Sequence, residues 1–173
     1  MNIAFRVDAS TQIGTGHFMR CLTLADALKQ HGAKIRFASR HMPEYLRDML
    51  VVKGHEFMLL DSSPSDAISD GLSHANWLGT SQHADAQDTV QALSGQTWDW
   101  LIVDHYALDA RWESALRQTA KNIFVIDDIA DRQHDCDVLL DQNLYADMDS
   151  RYTGKVPAHC QLLLGPRYAL LRD

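Results

Sequence analysis

The chain has 173 residues, of which 46% are hydrophobic and 23% are charged, a composition that is ordinary for a folded globular domain. Its net charge of -7 and its scattered basic residues exclude a basic face for nucleic acid. No apolar run approaches the ~20 residues that cross a bilayer, and the N-terminus lacks a signal-peptide pattern. Cys21, Cys136 and Cys160 are odd in number and widely spaced, which argues against a disulfide framework. We therefore expect a soluble, cytoplasmic protein that has no membrane partner.

Hydrophobic patterning predicts strands that alternate with helices along the whole chain. A first strand covers residues 2–8, and a helix that begins at His17 follows it after a glycine-containing loop. Further strands are predicted at 34–39, 56–61, 99–104, 122–127, 137–141 and 161–164, and further helices at 44–53, 82–93 and 109–121. Residues 62–81 have no regular pattern. The alternation predicts a single α/β domain over residues 1–173, a Rossmann-like parallel sheet with helices on both faces.

Polar side chains follow several of the predicted strands at the point where each strand ends. They are Asp8, Asp61, Asp104, His105, Tyr106, Asp127, Asp128, Asp141, Gln142 and Asn143. In open parallel sheets the ligand lies beyond the carboxyl ends of the strands, so these side chains are expected at one edge. Asp104, His105 and Tyr106 are candidates for a ligand site, whereas Asp127 and Asp128 either shape the site or cap the next segment.

The loop between the first strand and the first helix contains the run Gly14-Thr15-Gly16-His17. A phosphate-binding P-loop would place Lys and Ser or Thr after the second glycine, where this chain has His17 and Phe18. A dinucleotide fingerprint would place Gly or Ala three residues after Gly16, where this chain has Met19. The loop therefore supports neither an NTPase nor a dehydrogenase.

The two glycines allow a ligand to approach the backbone closely, directly before helix amides that favour oxygen-rich groups. The alternative is that glycines are simply tolerated in a connection between a strand and a helix. His17 lies at the positive end of the helix dipole, which disfavours the imidazolium form and suits a base that activates water. Its alternative role is that of a hydrogen-bonding residue at the start of the helix.

Other polar and aromatic residues allow two readings each. Arg6 and Arg20 either hold the loop through Asp8 or meet a phosphate, and Trp77 either stacks on a sugar or packs in the core. His134 with Cys136, and His159 with Cys160, lack the spacing of a zinc site, so no metal is expected. None of these patterns predicts an oligomeric state.

Five runs of residues resemble the UDP-2,4-diacetamido-2,4,6-trideoxy-β-L-altropyranose hydrolases of pseudaminic acid biosynthesis. The runs are RVDASTQIGTGHFMRCLTLA from Arg6, WLGTSQHADA from Trp77, LIVDHYALDARWE from Leu101, VIDDIADRQHDCDVLLDQN from Val125 and LLLGPRYALLR from Leu162. They occur in the family's order and span nearly the whole chain, which makes the resemblance specific.

The resemblance implies a two-domain GT-B fold, similar to that of the glycosyltransferase that makes lipid II. It implies that His17 positions or deprotonates a water that attacks the anomeric carbon of a UDP-sugar, with inversion and without a metal or other cofactor. It also implies a role in flagellin glycosylation. The residues expected to contact substrate are Arg6, Asp8, Gly14, Thr15, Gly16, Trp77, Asp104, His105 and Tyr106.

Members of that family are longer, and their C-terminal domain binds most of the uridine diphosphate. The resemblance thus implies that this chain is the N-terminal, base-bearing domain, that the C-terminal nucleotide-binding domain is missing, and that hydrolysis by the chain alone is weak or absent. Two alternatives remain. One is a GT-B glycosyltransferase domain in which His17 deprotonates an acceptor hydroxyl, and the other is a non-catalytic module that binds a sugar nucleotide.

Overall fold

The computed structural model describes residues 1–61 and 70–171, which form one parallel sheet flanked by helices. The strands are β1 (Asn2–Val7), β2 (Lys34–Ser39), β3 (Glu56–Leu59), β4 (Trp98–Asp104), β5 (Ala120–Ile126), β6 (Val138–Asp141) and β7 (Gln161–Leu164). The helices are α1 (Gly16–Gln30), α2 (Glu44–Val52), α3 (Gln82–Ala92) and α4 (Ala110–Leu116), with 3-10 turns at Ala75–Trp77 and Pro166–Tyr168. Among these residues no helix is long and apolar enough to cross a membrane.

The seven strands are ordered β3-β2-β1-β4-β5-β6-β7, and every neighbouring pair is parallel. The chain enters the sheet at β1, builds outward to β3, and then returns to the other side of β1 at β4. The direction of winding therefore reverses between β1 and β4. In sheets of this kind the crevice at such a reversal, beyond the carboxyl ends of the strands, is where ligands bind. The loop that contains Gly14 and Gly16 lies at this point.

Alternate side chains of β1 enter two separate cores, one on each face of the sheet. Phe5 packs with α1 and α2, and its ring stacks on Phe37 with 4.8 Å between the centroids. Ala4 belongs to the opposite core, which contains Trp98 and Trp112 and lies beneath α3 and α4. Both faces are buried because a parallel sheet connected by crossover helices is covered on both sides. The predicted Rossmann-like fold is thereby confirmed.

Two predicted boundaries differ appreciably from the structure. The helix predicted at 109–121 ends at Leu116, and Ala120 instead begins β5, where it pairs with Trp98. Ala120 is buried in the core beside Trp98, so a strand explains its apolar character as well as the predicted helix did. The strand predicted at 56–61 ends at Leu59, and α1 begins one residue before His17. Within the irregular segment 62–81, residues 62–69 lie outside the described part of the chain.

Candidate functional site

The glycine turn (residues 8–17) connects β1 to α1 and is closed by its own hydrogen bonds. The Gly14 amide donates to the Ser10 carbonyl at 2.8 Å, and the Ser10 hydroxyl accepts the amides of Gln12 and Ile13 at 3.2 and 3.1 Å. Gly14 has a φ of +77°, which is the left-handed region that favours glycine. A Cβ built on Gly16 would meet no heavy atom within 4 Å. The backbone above the turn is therefore open to a ligand.

His17 is held by a carboxylate from the neighbouring strand. Its Nδ1 lies 2.5 Å from Oδ1 of Asp104, the last residue of β4, and the Asp104 side chain is 0% exposed while that of His17 is 10% exposed. A carboxylate can only accept a hydrogen bond, so Nδ1 carries the proton and Nε2 is the nitrogen that can accept one. The pair forms an Asp–His dyad in which the imidazole has the tautomer and orientation of a general base.

Arg20, one helical turn after His17, neutralises the buried carboxylate of the dyad. Its Nε and Nη2 donate to the two oxygens of Asp104 at 2.5 and 2.7 Å, and its Nη1 donates to Asp128 at 2.9 Å. Burial alone would raise the pKa of Asp104, but His17 and Arg20 outweigh burial and hold that pKa well below its usual range. Asp104 is therefore ionised at neutral pH and remains an acceptor for the imidazole.

An aromatic wall, formed by Tyr106 and Trp77, stands beside the dyad. The Tyr106 ring meets the His17 ring edge-on with 4.6 Å between the centroids, and the Trp77 ring stacks on Tyr106 at 5.7 Å. The Tyr106 hydroxyl donates to Asp128. Burial, together with the Asp128 carboxylate, raises the pKa of Tyr106, so the phenol keeps its proton. The Tyr106 ring therefore restrains His17 by packing, in addition to the hydrogen bond from His17 to Asp104.

An open cavity of about 510 Å³ lies at the carboxyl edge of the sheet, beside His17, Arg20, Tyr106 and Asp128, whereas Asp104 and Trp77 are not among its lining residues. It is lined by Ile13, Gly16, His17, Met19, Arg20, Thr23, Tyr106, Asp128, Gln142, Leu170 and Leu171. This volume is in the range of small-molecule sites, and the lining combines apolar side chains with the polar groups of His17, Arg20 and Asp128. The cavity, the glycine turn and the dyad together make up the candidate site.

Besides the buried Asp104, three further predicted contact residues lie beneath the site instead of facing it. Arg6 and Asp8 have no exposed side-chain surface and are joined by an ion pair of 2.6 Å, and the buried His105 contacts Asp8 through Nε2 at 3.0 Å. Asp8 also accepts the backbone amides of Arg40 and His41 at 2.8 and 3.2 Å. We therefore correct their assignment, because buried side chains that are bonded to one another support the turn and do not meet a ligand.

Asp128 is the site residue whose role the sequence left open. Asp127 and Asp128 are consecutive, so their side chains leave the end of β5 in different directions. Asp127 is fully buried and bound to Arg132 at 2.9 Å, whereas the 14% exposed Asp128 side chain faces the cavity. The expectation that polar residues at strand ends lie near the ligand included both carboxylates. It does not specify which of two adjacent side chains turns toward the cavity.

The two His and Cys pairs do not converge on a common centre. His134 Nδ1 is 2.7 Å from Glu113, and the Cys136 sulfur lies 3.6 Å from that of Cys160. Over residues 1–61 and 70–171 no group of three or more His, Cys, Asp or Glu side chains is arranged to hold a metal ion.

Comparison with curated proteins identifies a relative over the whole length of the chain. The UDP-2,4-diacetamido-2,4,6-trideoxy-beta-L-altropyranose hydrolase of Campylobacter jejuni subsp. jejuni is 30% identical over 174 residues, a match that covers 100% of this chain and 53% of the relative. The chain thus spans about half the length of the curated protein it matches. The resemblance indicated by the sequence motifs is confirmed. A scan against protein-family models found no match.

Comparison with solved structures found a UGT transferase and a MurG protein. A UGT transferase from Siraitia grosvenorii, determined in complex with UDP, has a TM-score of 0.51 and 14% identity over 73% of this chain and 27% of the transferase. MurG of Acinetobacter baumannii has a TM-score of 0.49 and 12% identity over 93% of this chain and 44% of its own. At 14% identity the likeness to the UGT transferase concerns the fold alone, and it agrees with the predicted Rossmann-like part of a GT-B architecture.

Proposed function

We propose that this chain is the base-bearing domain of a hydrolase that converts a UDP-linked diacetamido-trideoxy-hexose into free sugar and UDP. The observation that carries this proposal is the His17–Asp104 dyad, which lies on the wall of an open cavity at the winding reversal of the sheet. The similarity of the whole chain to the C. jejuni hydrolase supports the choice of substrate class and suggests the same biosynthetic pathway.

In the proposed reaction a water molecule attacks the anomeric carbon while His17 Nε2 accepts its proton. The bond between the anomeric carbon and the diphosphate oxygen breaks, and its electron pair leaves with UDP. Asp104 keeps the proton on Nδ1 and stabilises the imidazolium that forms. Water and leaving group occupy opposite faces of the sugar, so the anomeric configuration inverts. A diphosphate leaves readily without protonation, so a single base suffices.

The remaining predicted contacts divide between backbone and aromatic groups. The turn at Gly14, Thr15 and Gly16 supplies open backbone next to the start of α1, which suits the oxygens of the substrate. The half-buried Trp77 ring and the Tyr106 ring offer an apolar face to the sugar. We propose that both groups bind the hexose, while a second domain supplies most of the contacts with uridine diphosphate, so the isolated chain hydrolyses the substrate weakly or not at all.

Glycosyl transfer is the second candidate, because the chain shares its fold with a UGT transferase. In that case the same His17 would deprotonate the hydroxyl of an acceptor instead of a water. The two reactions differ in their products but not in the role of the dyad.

A labelling experiment on the full-length protein distinguishes these possibilities. The UDP-sugar is turned over in ¹⁸O-labelled water, with and without a sugar or lipid-linked acceptor, and the products are analysed by mass spectrometry. We expect the label in the free sugar, unlabelled UDP and no glycoside. Label in UDP would indicate attack at phosphorus, a glycoside would indicate transfer, and binding without turnover would indicate a non-catalytic module; each result contradicts the proposal.

A further inference from the structure

We propose that Asp128 is a positioning residue of the dyad and acts through Arg20 and Tyr106. The inference rests on the proposed function, since it concerns how His17 is kept in place for proton transfer. Asp128 follows β5, whereas His17 is the second residue of α1 and Asp104 ends β4, so three separate elements meet at this point.

The two carboxylate oxygens of Asp128 have different partners. Oδ2 accepts from Nη1 of Arg20 at 2.9 Å, and Oδ1 accepts from the hydroxyl of Tyr106. Arg20 in turn holds both oxygens of Asp104, and the Tyr106 ring lies against the His17 ring. Asp128 thus holds Arg20, which contacts Asp104, and Tyr106, which contacts His17. These contacts form a closed ring that includes the imidazole.

This arrangement requires an acceptor at both oxygens. An Asn at this position removes the negative charge that pairs with Arg20, and its NH₂ group cannot accept the Tyr106 hydroxyl, which would have to turn and accept instead. Both changes weaken the contacts through which Arg20 and Tyr106 restrain Asp104 and His17. Proton transfer depends steeply on this geometry, while binding of the nucleotide sugar in the ground state does not.

The test compares Asp128→Asn, Tyr106→Phe and the double variant in the full-length protein. We expect each single change to lower kcat by about 10- to 100-fold with KM changed by less than about 3-fold, and the double variant to be little worse than the poorer single one. Tyr106→Phe keeps the ring and the Asp128 charge, so it tests the contact even if Asp128→Asn folds poorly. Asp131→Asn is the matched control, because Asp131 pairs with Arg132 at 3.0 Å on the same loop.

Two outcomes overturn the inference. An unchanged kcat with a raised KM would show that Asp128 binds substrate directly, and additive effects in the double variant would show that Asp128 and Tyr106 act independently. If the proposed function were wrong, the His17→Ala protein would still turn over the UDP-sugar, whether or not Asp128→Asn changed kcat. That result differs from both outcomes above.

We also propose that Cys136 and Cys160 form a dithiol site that hydroperoxides oxidise to a disulfide. Both are free thiols, and their sulfur atoms lie 3.6 Å apart. Cys136 precedes β6 and Cys160 directly precedes β7, and these strands are parallel neighbours with Val138 opposite Gln161. The strand register therefore holds the two thiols together at the amino edge of the sheet, opposite the cavity.

The two thiols differ in the way this chemistry requires. Cys160 is partly exposed and Cys136 is buried; the hydrogen bond between them lowers the pKa of Cys160, while that bond and burial raise the pKa of Cys136. The Cys160 thiolate attacks hydrogen peroxide, the O–O bond breaks, hydroxide leaves and a sulfenic acid forms. Cys136 then attacks the Cys160 sulfur as its proton passes to the departing hydroxyl group, the S–OH bond breaks, and water leaves as the disulfide forms.

Intact-mass analysis of the full-length protein tests this site. After brief treatment with stoichiometric peroxide and alkylation under denaturing conditions, we expect a loss of about 2 Da and protection of Cys136 and Cys160, while Cys21 is alkylated. With Cys136→Ser we expect a sulfenic acid trapped at Cys160 by dimedone. Equal oxidation of the three thiols, or separate sulfinic acids at Cys136 and Cys160, would overturn the proposal.

Discussion

At the scale of single residues, Asp104 determines what His17 can do. Its two carboxylate oxygens accept hydrogen bonds from His17 and Arg20, and the Cys21 sulfur lies 3.6 Å from one of them. The Asp104 side chain is almost completely buried. The sequence placed Asp104 at the ligand edge as a substrate contact. The structure keeps it at that edge but one layer below the surface, where its hydrogen bond orients the imidazole of His17.

Replacing Asp104 by Asn tests this role. The amide can donate to Nδ1 and so stabilise the wrong tautomer, which leaves Nε2 protonated and unable to accept the proton of water. We expect kcat to fall by about 10²- to 10⁴-fold with KM nearly unchanged. Asp99→Asn, at the other end of β4 and paired with Lys121 at 2.7 Å, is the control. An Asp104→Asn enzyme with full kcat would exclude the dyad.

At the scale of elements, the glycine turn has one position that requires glycine for its backbone and one that does not. Gly14 has a φ of +77°, whereas Gly16 is the first residue of α1 and has open space where a Cβ would be. Gly14→Ala should therefore lower the free energy of unfolding by roughly 1 kcal/mol or more, whereas Gly16→Ala should leave it nearly unchanged. Urea denaturation of both variants measures the difference, and equal losses would contradict this account of the turn.

Much of the arrangement of elements could be predicted from the sequence, but the contacts between distant residues could not. Apolar periodicity located the strands to within a few residues, and the parallel-sheet rule placed Asp104 and Tyr106 at the ligand edge. The ion pair of Arg6 with Asp85, at 2.7 Å, joins residues that are 79 positions apart. Such pairs follow from strand order and helix packing, which local patterns do not specify. Arg6 was therefore misassigned as a substrate contact.

At the scale of the whole molecule, buried charge pairs make stability depend on pH. Burial alone would lower the pKa of His134, but the carboxylates of Glu113 and Asp127 outweigh it and raise this pKa to about 9. The unfolded value is about 6.5, so the folded state binds the proton more tightly. The stabilisation that protonated His134 gives the folded state is fully present below about pH 6.5 and is lost as the pH rises through about 9. The pKa of Asp127 is lowered in the folded state, so the ionised Asp127 stabilises the fold at neutral pH and this stabilisation is lost as the pH falls.

Unfolding measured between about pH 6 and pH 9 tests this linkage. The wild type should lose stability steadily over that range, while His134→Gln should be less stable at pH 6 and show a much smaller further loss. His31→Gln, at the exposed end of α1, should behave as the wild type. Parallel losses in the wild type and in His134→Gln would contradict the assignment of the proton to His134.

We propose that His17 is the base of a UDP-sugar hydrolase, and the most direct test of this role is the rate of UDP release by the full-length His17→Ala protein. His31→Ala is the control, because His31 is exposed and directly follows the last residue of α1, at the end far from His17. We predict that His17→Ala lowers kcat by about 10²- to 10⁴-fold while the UDP-sugar still binds, and that His31→Ala is unaffected. A His17→Ala protein that keeps the wild-type kcat would contradict the claim.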